Sequence, residues 1–295
     1  MPEGDSVFRA AAALHRALAG QSLTRTDLRV PALAAVDLSG RRVEGSVSRG
    51  KHLLLRLGPD PRTGSEPVTL HSHLGMEGRW ELTELGGGPA GDGAPSGRGA
   101  RRSSPPHAVR AVLETAAHRA VGHSVQQLAL VPTPREDRLV GHLGPDLLDP
   151  QWSPGHLDEA LRRLLERPGR PVAAALMDQT CLAGIGSIYR CELLFRHRLA
   201  PQTPVGSVPD PAAVVEDARD LLVRNRDRGP RITTGDPRPG RRLWVYGREH
   251  RPCRRCGTAI VRRTWDDAVG ERDPRSGLPA PARQRPLFRC PRCQR

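Results

Sequence analysis

The chain has 295 residues and a formal net charge of +14, with 37% hydrophobic and 26% charged residues. This balance is typical of a globular protein and excludes wholesale disorder, and the length predicts two or three domains. The positive charge favours a polyanionic partner, with nucleic acid first, over an arginine-rich surface that is merely solvated.

The sequence lacks the features of a membrane or secreted protein. No stretch approaches the roughly 18 apolar residues that a membrane helix needs, and the N-terminus lacks the basic-then-apolar pattern of a signal peptide. We therefore expect a cytoplasmic protein without a membrane partner, and we expect it to be a monomer.

Lysine is almost absent from this basic chain. Every Lys or Arg position holds arginine except Lys51. A lysine amine can lose its proton and makes a compact contact to phosphate, whereas a guanidinium stays protonated. Lys51 is therefore a candidate for chemistry or for a phosphate contact, with chance survival as the alternative.

The N-terminal segment predicts a helix over residues 5–19, with Asp5 or Ser6 as N-cap and Gly20 as the stop. Its apolar face would be formed by Val7, Ala11, Leu14 and Leu18.

Short β-type segments then fill residues 41–131 and predict a β-sandwich or barrel-like sheet. The Gly/Pro/Ser-rich residues 86–106 lack periodicity and predict a disordered insertion between two strands. The predicted strands include Val43–Val47, His52–Leu57, Val68–Leu74, Trp80–Leu85, Val109–Leu113 and Val125–Val131.

From about residue 151 the pattern becomes helical. Residues 176–201 predict a helix, a glycine-containing turn and a second helix that begins at Ser187 as N-cap. A further helix is predicted over roughly 210–226. The buried stripe of the second helix would be Ile188, Cys191, Leu194 and Phe195.

Two CxxC pairs near the end of the chain predict a metal centre. Cys253 and Cys256, with Cys290 and Cys293, supply the four thiolates of a tetrahedral structural Zn²⁺ site. Four free or redox-active cysteines are the alternative, but so apolar-poor a tail could hardly fold without a metal. The polar residues 266–283 predict an inserted loop between the pairs. The remaining two cysteines, at positions 181 and 191, predict small core residues.

The chain opens with a possible nucleophile. Removal of Met1 would expose a secondary amine at Pro2, which could attack a sugar C1′ and form an iminium, and Glu3 beside it could move protons. A disordered N-terminus is the alternative.

Taken together, these segments resemble the formamidopyrimidine-DNA glycosylase/endonuclease VIII family, in the family's order and over nearly the whole chain. The resemblance implies an α+β multidomain protein. It has a leading helix and β-sandwich in residues 1–150, a helix–two-turn–helix domain in 151–245 and a zinc finger in 246–295. The segments that carry the resemblance are PEGDSVFRAA (2–11), SRGKHLLLRL (48–57), HLGMEGRW (73–80), HLGPDLL (142–148), residues 176–201, WVYGREHRPC (244–253) and RPLFRCPRCQR (285–295).

The resemblance implies roles for individual residues and damaged DNA as the partner. Pro2 corresponds to the nucleophile that forms a Schiff base, and Glu3 to the acid that assists base release. Lys51 corresponds to a lysine that contacts phosphate and assists β-elimination, and Arg285 to a zinc-finger arginine that clamps phosphates and assists δ-elimination. The turn before Ser187, where the family usually has asparagine, would offer free backbone N–H groups to a phosphate.

The implied function is a bifunctional DNA glycosylase and abasic-site lyase of base excision repair that cleaves by β,δ-elimination. The opening PEG and the RPLF segment favour the endonuclease VIII branch and oxidised pyrimidines, although Met76 resembles a void-filling wedge of the other branch. The alternative for Met76 is a core residue at a strand end. A noncatalytic zinc-containing protein that binds damaged DNA is the alternative function, and an RNA-associated zinc-ribbon protein is a third.

Overall fold

The computed structural model describes residues 2–85, 105–268 and 282–295. Two compact units make up the chain: one holds Pro2 and Ser6–Gly141, and the other holds Glu3–Asp5 and His142–Arg295. None of the helices in the described ranges is long and apolar enough to cross a membrane.

Helix α1 spans Gly4–Leu18, and Gly20 follows it with a φ of 81°. The predicted apolar face is confirmed, because Val7, Ala11, Leu14 and Leu18 are all buried. The predicted N-cap is wrong: the helix begins before Asp5 and Ser6, and Asp5 lies in its first turn.

Among its described residues, the first unit contains two four-stranded antiparallel sheets that form a β-sandwich. One sheet has the strand order β1-β6-β7-β5 and the other β2-β3-β4-β8. Leucines and other aliphatic side chains from both sheets and from α1 share one core. The strands are β1 (Arg25–Leu28), β2 (Val43–Arg49), β3 (His52–Leu57), β4 (Val68–His73), β5 (Arg79–Glu84), β6 (Val109–Glu114), β7 (His118–His123) and β8 (Gln127–Pro132).

Two of these strands, β1 and β7, were not predicted from the sequence, and the last strand starts two residues later than expected. Strand β7 pairs with both β5 and β6, so it joins the two strands that flank the glycine-rich insertion. Residues 86–104 of that insertion lie outside the described residues. A short helix, α2 (Asp137–Val140), ends this unit.

The described part of the second unit contains four α-helices: α3 (Pro154–Leu165), α4 (Val172–Ala175), α5 (Ser187–Arg196) and α6 (Pro211–Arg226). Asp210 caps α6 by accepting the Ala213 N–H at 2.9 Å. The predicted helix at the start of 176–201 is wrong, because turns and irregular backbone occupy residues 177–186. Helix α5 also begins one residue after its cap, Gly186, so Ser187 is its first residue rather than its N-cap.

The chain ends in an antiparallel hairpin of β9 (Val261–Asp266) and β10 (Gln284–Arg289), which carries Arg285 opposite Trp265. The interior of the predicted inserted loop, residues 269–281, lies outside the described residues.

Candidate active site and metal centre

The Glu3 carboxylate is buried at the N-terminus of helix α5. Its Oε1 accepts the Ile188 N–H at 2.8 Å, and its Oε2 accepts the N–H groups of Gly186 at 3.0 Å and Tyr189 at 3.3 Å. The positive end of the helix dipole stabilises a carboxylate in this position. Glu3 therefore occupies these three amides, and the binding of a phosphate by other N–H groups of the turn before Ser187 stays a prediction.

Two glycines make room for this arrangement. A Cβ at Gly186 would lie 2.6 Å from Glu3 Cγ and 2.7 Å from Oε1. Gly184, with a φ of 114°, accepts the Gly4 N–H at 2.9 Å, which brings the N-terminal segment against the turn before α5. The Gly-x-Gly sequence therefore serves the close approach of two backbones as well as the turn.

Asp5 forms a second buried contact of the N-terminal segment. Arg231 donates to both of its carboxylate oxygens, at 2.7 Å from Nε and 2.6 Å from Nη2, and the Tyr189 hydroxyl donates at 3.2 Å. Burial raises the pKa of Tyr189. Burial disfavours the Arg231 charge, but Glu3 and Asp5 outweigh it and raise the pKa of Arg231. Glu3 and Asp5 are thus both fixed within the second unit.

Pro2 and Lys51 belong to the first unit. Pro2 is half-buried and directly precedes Glu3. Lys51 is half-buried in the two-residue turn between β2 and β3, after Gly50, whose φ is 56°. Glycine is the residue preferred at the first position of this kind of hairpin turn. The hairpin therefore fixes the position of the only lysine.

Histidines follow Lys51 on β3 and β4. His52 Nδ1 and His71 Nε2 lie 2.8 Å apart, and the His73 ring stands edge-on to His52 at 5.2 Å between centroids. His71 is buried, and burial lowers its pKa to about 4, with a smaller contribution from His73. His71 is therefore neutral near pH 7.

Met76 lies in the turn between β4 and β5. Its side chain is 58% exposed, and it borders an open cleft together with Arg79 and Arg110. The core alternative for Met76 is wrong, and an exposed flexible apolar side chain suits a wedge.

Ser187, in contrast, is buried, and its Oγ has no hydrogen-bond partner among the described residues.

The four cysteine sulfurs lie within 4.8 Å of one another. The Sγ atoms of Cys253 and Cys293 are 4.0 Å apart, and those of Cys256 and Cys290 are 3.5 Å apart. Tetrahedral Zn²⁺ with bonds of about 2.3 Å would hold sulfurs roughly 3.8 Å apart, so the four residues fit this metal.

Hydrogen bonds around the sulfurs support a thiolate site. The Arg255 N–H points to Cys253 Sγ at 3.4 Å, as expected for a zinc knuckle. Hydrogen bonds from Thr258 lower the pKa of the Cys256 thiol to about 6, whereas burial raises the pKa values of the Cys290 and Cys293 thiols. The cysteines outside the cluster, Cys181 and Cys191, are buried, which confirms the prediction that they are core residues.

Arg285 is presented by the hairpin that ends in this cluster. Its Nε lies 3.2 Å from Oδ2 of Asp267, and its side chain is 41% exposed. Asp267 also pairs through Oδ1 with Nη1 of Arg190, a fully buried residue of α5.

Comparison with known proteins agrees with this arrangement. Residues 1–129 match the model of the formamidopyrimidine-DNA glycosylase N-terminal domain, and residues 143–225 match that of the formamidopyrimidine-DNA glycosylase H2TH domain. The chain belongs to the formamidopyrimidine-DNA glycosylase/endonuclease VIII family.

Relatives named as endonuclease VIII proteins support that branch of the family. The chain is 46% identical to the DNA-(apurinic or apyrimidinic site) lyase Nei2 of Mycolicibacterium smegmatis, over 92% of this chain and 95% of the relative. It is 42% identical to endonuclease 8 2 of Mycobacterium tuberculosis over the full length of both.

The fold is similar to solved structures of the family. The formamidopyrimidine-DNA glycosylase of Lactococcus lactis, non-covalently bound to DNA with an abasic site, matches with a TM-score of 0.71 at 21% identity over all of both chains.

Sequence reasoning missed several residues that organise the site of this family member. Gly186 was assigned only to a turn, and the partners Arg231, Arg190 and Asp267 were not identified. Arg190 lies between the apolar residues Ile188 and Leu194 of α5, and a charge in such a position was the available signal of a buried partner. The identity of each partner could not be predicted, because Asp267 is 77 positions from Arg190.

Proposed function

We propose that the protein is a bifunctional DNA glycosylase and abasic-site lyase of base excision repair that acts on oxidised bases, with oxidised pyrimidines preferred. The observation that carries this proposal is the Glu3 carboxylate, fixed by three backbone amides directly beside Pro2 in the sequence. A protein that only bound damaged DNA would need neither the Pro2 amine nor this buried acid.

In the proposed reaction, removal of Met1 exposes the Pro2 nitrogen, which attacks the deoxyribose C1′. The bond from C1′ to the damaged base breaks, and the base leaves with a proton whose transfer Glu3 assists. The nitrogen then loses its proton, and its lone pair forms the iminium as the C1′–O4′ bond breaks and O4′ takes up a proton. Loss of a C2′ proton expels the 3′ phosphate, and loss of the C4′ proton then expels the 5′ phosphate.

The remaining side chains bind and orient the DNA. We assign Lys51 to a phosphate contact and to assistance of β-elimination, and Arg285 to the phosphates that flank the lesion and to δ-elimination. We assign Met76 to the space left by the displaced base. A role for Ser187 near the phosphate stays a prediction. Its side chain is buried, so a contact with phosphate would come from its backbone N–H.

We further propose that the four cysteines hold one structural Zn²⁺. When bound, this ion would stabilise the β9–β10 hairpin and take no part in bond making. We also propose that the protein is a monomer.

Borohydride trapping tests the proposal. A covalent adduct should form only when borohydride and a strand with an abasic or oxidised base are both present, and peptide mapping should place it on Pro2. Retention of Met1 should abolish trapping, because the attacking nitrogen would be part of an amide. Oligonucleotides with different lesions, with the product ends resolved, then give the substrate preference and the elimination type.

Two outcomes would contradict the proposal. Normal trapping by the N-terminally blocked protein would exclude Pro2, and an adduct on Lys51 would make the lysine the nucleophile. Binding to damaged DNA without trapping or cleavage would favour the noncatalytic alternative.

A further inference from the structure

A buried carboxylate links two arginines in the second unit. Asp267 pairs with the fully buried Arg190 of α5 through Oδ1 and lies 3.2 Å from Arg285 Nε through Oδ2. Arg190 is fixed further by a 3.1 Å hydrogen bond from Nη2 to the carbonyl of Pro286, next to Arg285 in β10. Asp267 is therefore fixed by the buried Arg190 through one carboxylate oxygen and forms an ion pair with the more exposed Arg285 through the other.

The charges of this cluster leave Arg285 able to bind an anion. A buried aspartate with Arg285 as its sole partner would neutralise the guanidinium. Arg190 already balances the carboxylate, so the three groups together carry one net positive charge. Arg285 is the exposed member, with 41% of its side chain accessible, and the charge is therefore presented at the surface.

The atom that contacts Asp267 matters as well. Nε, the guanidinium nitrogen nearest the side-chain stem, forms this ion pair, which does not have hydrogen-bond geometry, and the two Nη groups at the outer end of the planar fork are not used by Asp267. An arginine side chain loses considerable rotamer freedom when it binds, and a fixed orientation before binding reduces that loss.

We propose that Asp267, held by Arg190, is a positioning residue that orients Arg285 toward a phosphodiester of damaged DNA. This inference rests on the proposed function, because it needs Arg285 to bind phosphate. Asp267 itself would not touch the DNA.

A double-mutant cycle tests the coupling, with a duplex that contains a tetrahydrofuran abasic-site analogue as the probe. D267N should weaken binding about three- to tenfold in the wild-type protein, and by less than about twofold when R285A is present. R285A should also make the salt dependence of log K less steep by about one, whereas D267N should leave that slope unchanged because the Arg285 charge remains.

Asp266 provides a matched control in the neighbouring position. Its Oδ1 accepts the N–H groups of Ala268 at 2.9 Å and Arg283 at 2.8 Å, so it supports the hairpin through backbone contacts. Any effect of D266N should therefore be the same with and without R285A. An equal effect of D267N in both backgrounds, or no effect in either, would overturn the proposal.

A second variant separates positioning from folding. D267N leaves Arg190 without its buried countercharge, so R190M/D267N removes both charges and should retain zinc and cooperative melting while keeping the binding defect. Loss of zinc or of cooperative melting in R190M/D267N would assign Asp267 a structural role and overturn the inference. If the wild-type protein neither traps nor prefers the abasic duplex, the proposed function fails; if it does both and coupling is absent, only this inference fails.

Discussion

Gly186 determines whether Glu3 can reach the amides of α5. A methyl group at this position would lie 2.7 Å from Glu3 Oε1, so the carboxylate would have to move. A displacement of about 1 Å can cost roughly 10²-fold in rate. We expect G186A to lower the rate of base excision by about that factor while affecting cleavage of a preformed abasic site less, since departure of the base most needs the acid.

Gly169 offers the control for this substitution, because no atom lies within 4 Å of a Cβ built there. G169A should leave both reactions unchanged in assays of lesion-containing and abasic oligonucleotides. Equal rates of base excision for G186A and the wild-type protein would show that the position of Glu3 is unimportant for base release.

His71 should make stability depend on pH. Burial lowers its folded-state pKa to about 4, below the unfolded value of about 6.5. Between these values the unfolded chain binds a proton that the folded protein does not, so stability falls as the pH drops from about 6.5 toward 4. From pH 7 to pH 5 the free energy of unfolding should fall by about 2 kcal/mol through this group.

Urea unfolding at both pH values, compared between the wild-type protein and H71F, isolates this contribution. The variant should lose less stability than the wild-type protein as the pH falls, and contributions from other groups cancel in the comparison. The same pH dependence in both proteins would mean that His71 titrates normally.

At the level of elements, α5 shows what the sequence could and could not predict. Its helical nature and apolar stripe were predicted, because the spacing of Ile188, Cys191 and Leu194 is a local property. The burial of every α5 residue before Arg196 was not predicted, since that depends on partners far along the chain. Glu192, for example, accepts the N–H groups of Trp244, Val245 and Tyr246, and so orders the segment that leads into the cysteines.

The sheets show the same division. Strands with continuous or alternating apolar residues were identified, whereas β7, which contains Gly122 and histidines at both ends, has no such local signal. The resemblance to the family supplied the order of the domains and the roles of Pro2, Glu3 and Arg285. It could not supply contacts such as that between Asp5 and Arg231, which require the folded arrangement.

The Asp5–Arg231 pair joins the start of α1 to the segment after α6. Because Asp5 is fully buried and only 12% of the Arg231 side chain is exposed, removal of one leaves an unpaired charge, which typically costs about 3–5 kcal/mol. We expect R231M to lower the free energy of unfolding by about this amount, and D5N/R231M to recover part of it. Chemical denaturation measures both effects.

Arg238 provides the control in the same segment, since its pair with Asp236 is exposed. R238M should change the free energy of unfolding by less than about 1 kcal/mol. If R231M and R238M were equally stable, the buried pair would contribute no more than a surface one.

Across the second unit, α5 connects the cysteine cluster to the Glu3 carboxylate. The Arg255 guanidinium, in the first cysteine knuckle, donates to the carbonyl of Phe195 at 2.8 Å near the end of α5. Gln294, after the last cysteine, donates to the carbonyl of Leu199 at 3.1 Å. Glu3 accepts hydrogen bonds from the backbone amides at the opposite end of the same helix. Disorder of the hairpin should therefore loosen α5 and, through it, the position of the Glu3 carboxylate.

Removal of the metal tests this connection. We expect one Zn²⁺ per chain by elemental analysis, because four sulfurs fit one tetrahedral ion. Loss of zinc, or C253S, should unfold residues beyond about 245, because metal binding and folding of such a hairpin are coupled. Hydrogen exchange should then increase in the hairpin and at the C-terminal end of α5, and binding to abasic DNA should weaken strongly, whereas the sheets of the first unit should keep their protection.

The control for C253S is C181A, which alters a buried cysteine outside the cluster. C181A should retain zinc, DNA binding and the exchange pattern of the wild-type protein. A protein without zinc, in which C253S leaves melting and DNA binding unchanged, would exclude the metal centre. Retention of full base excision after zinc loss would show instead that the Glu3 carboxylate is held independently of the hairpin, because the acid would then stay in place when the other end of α5 is released.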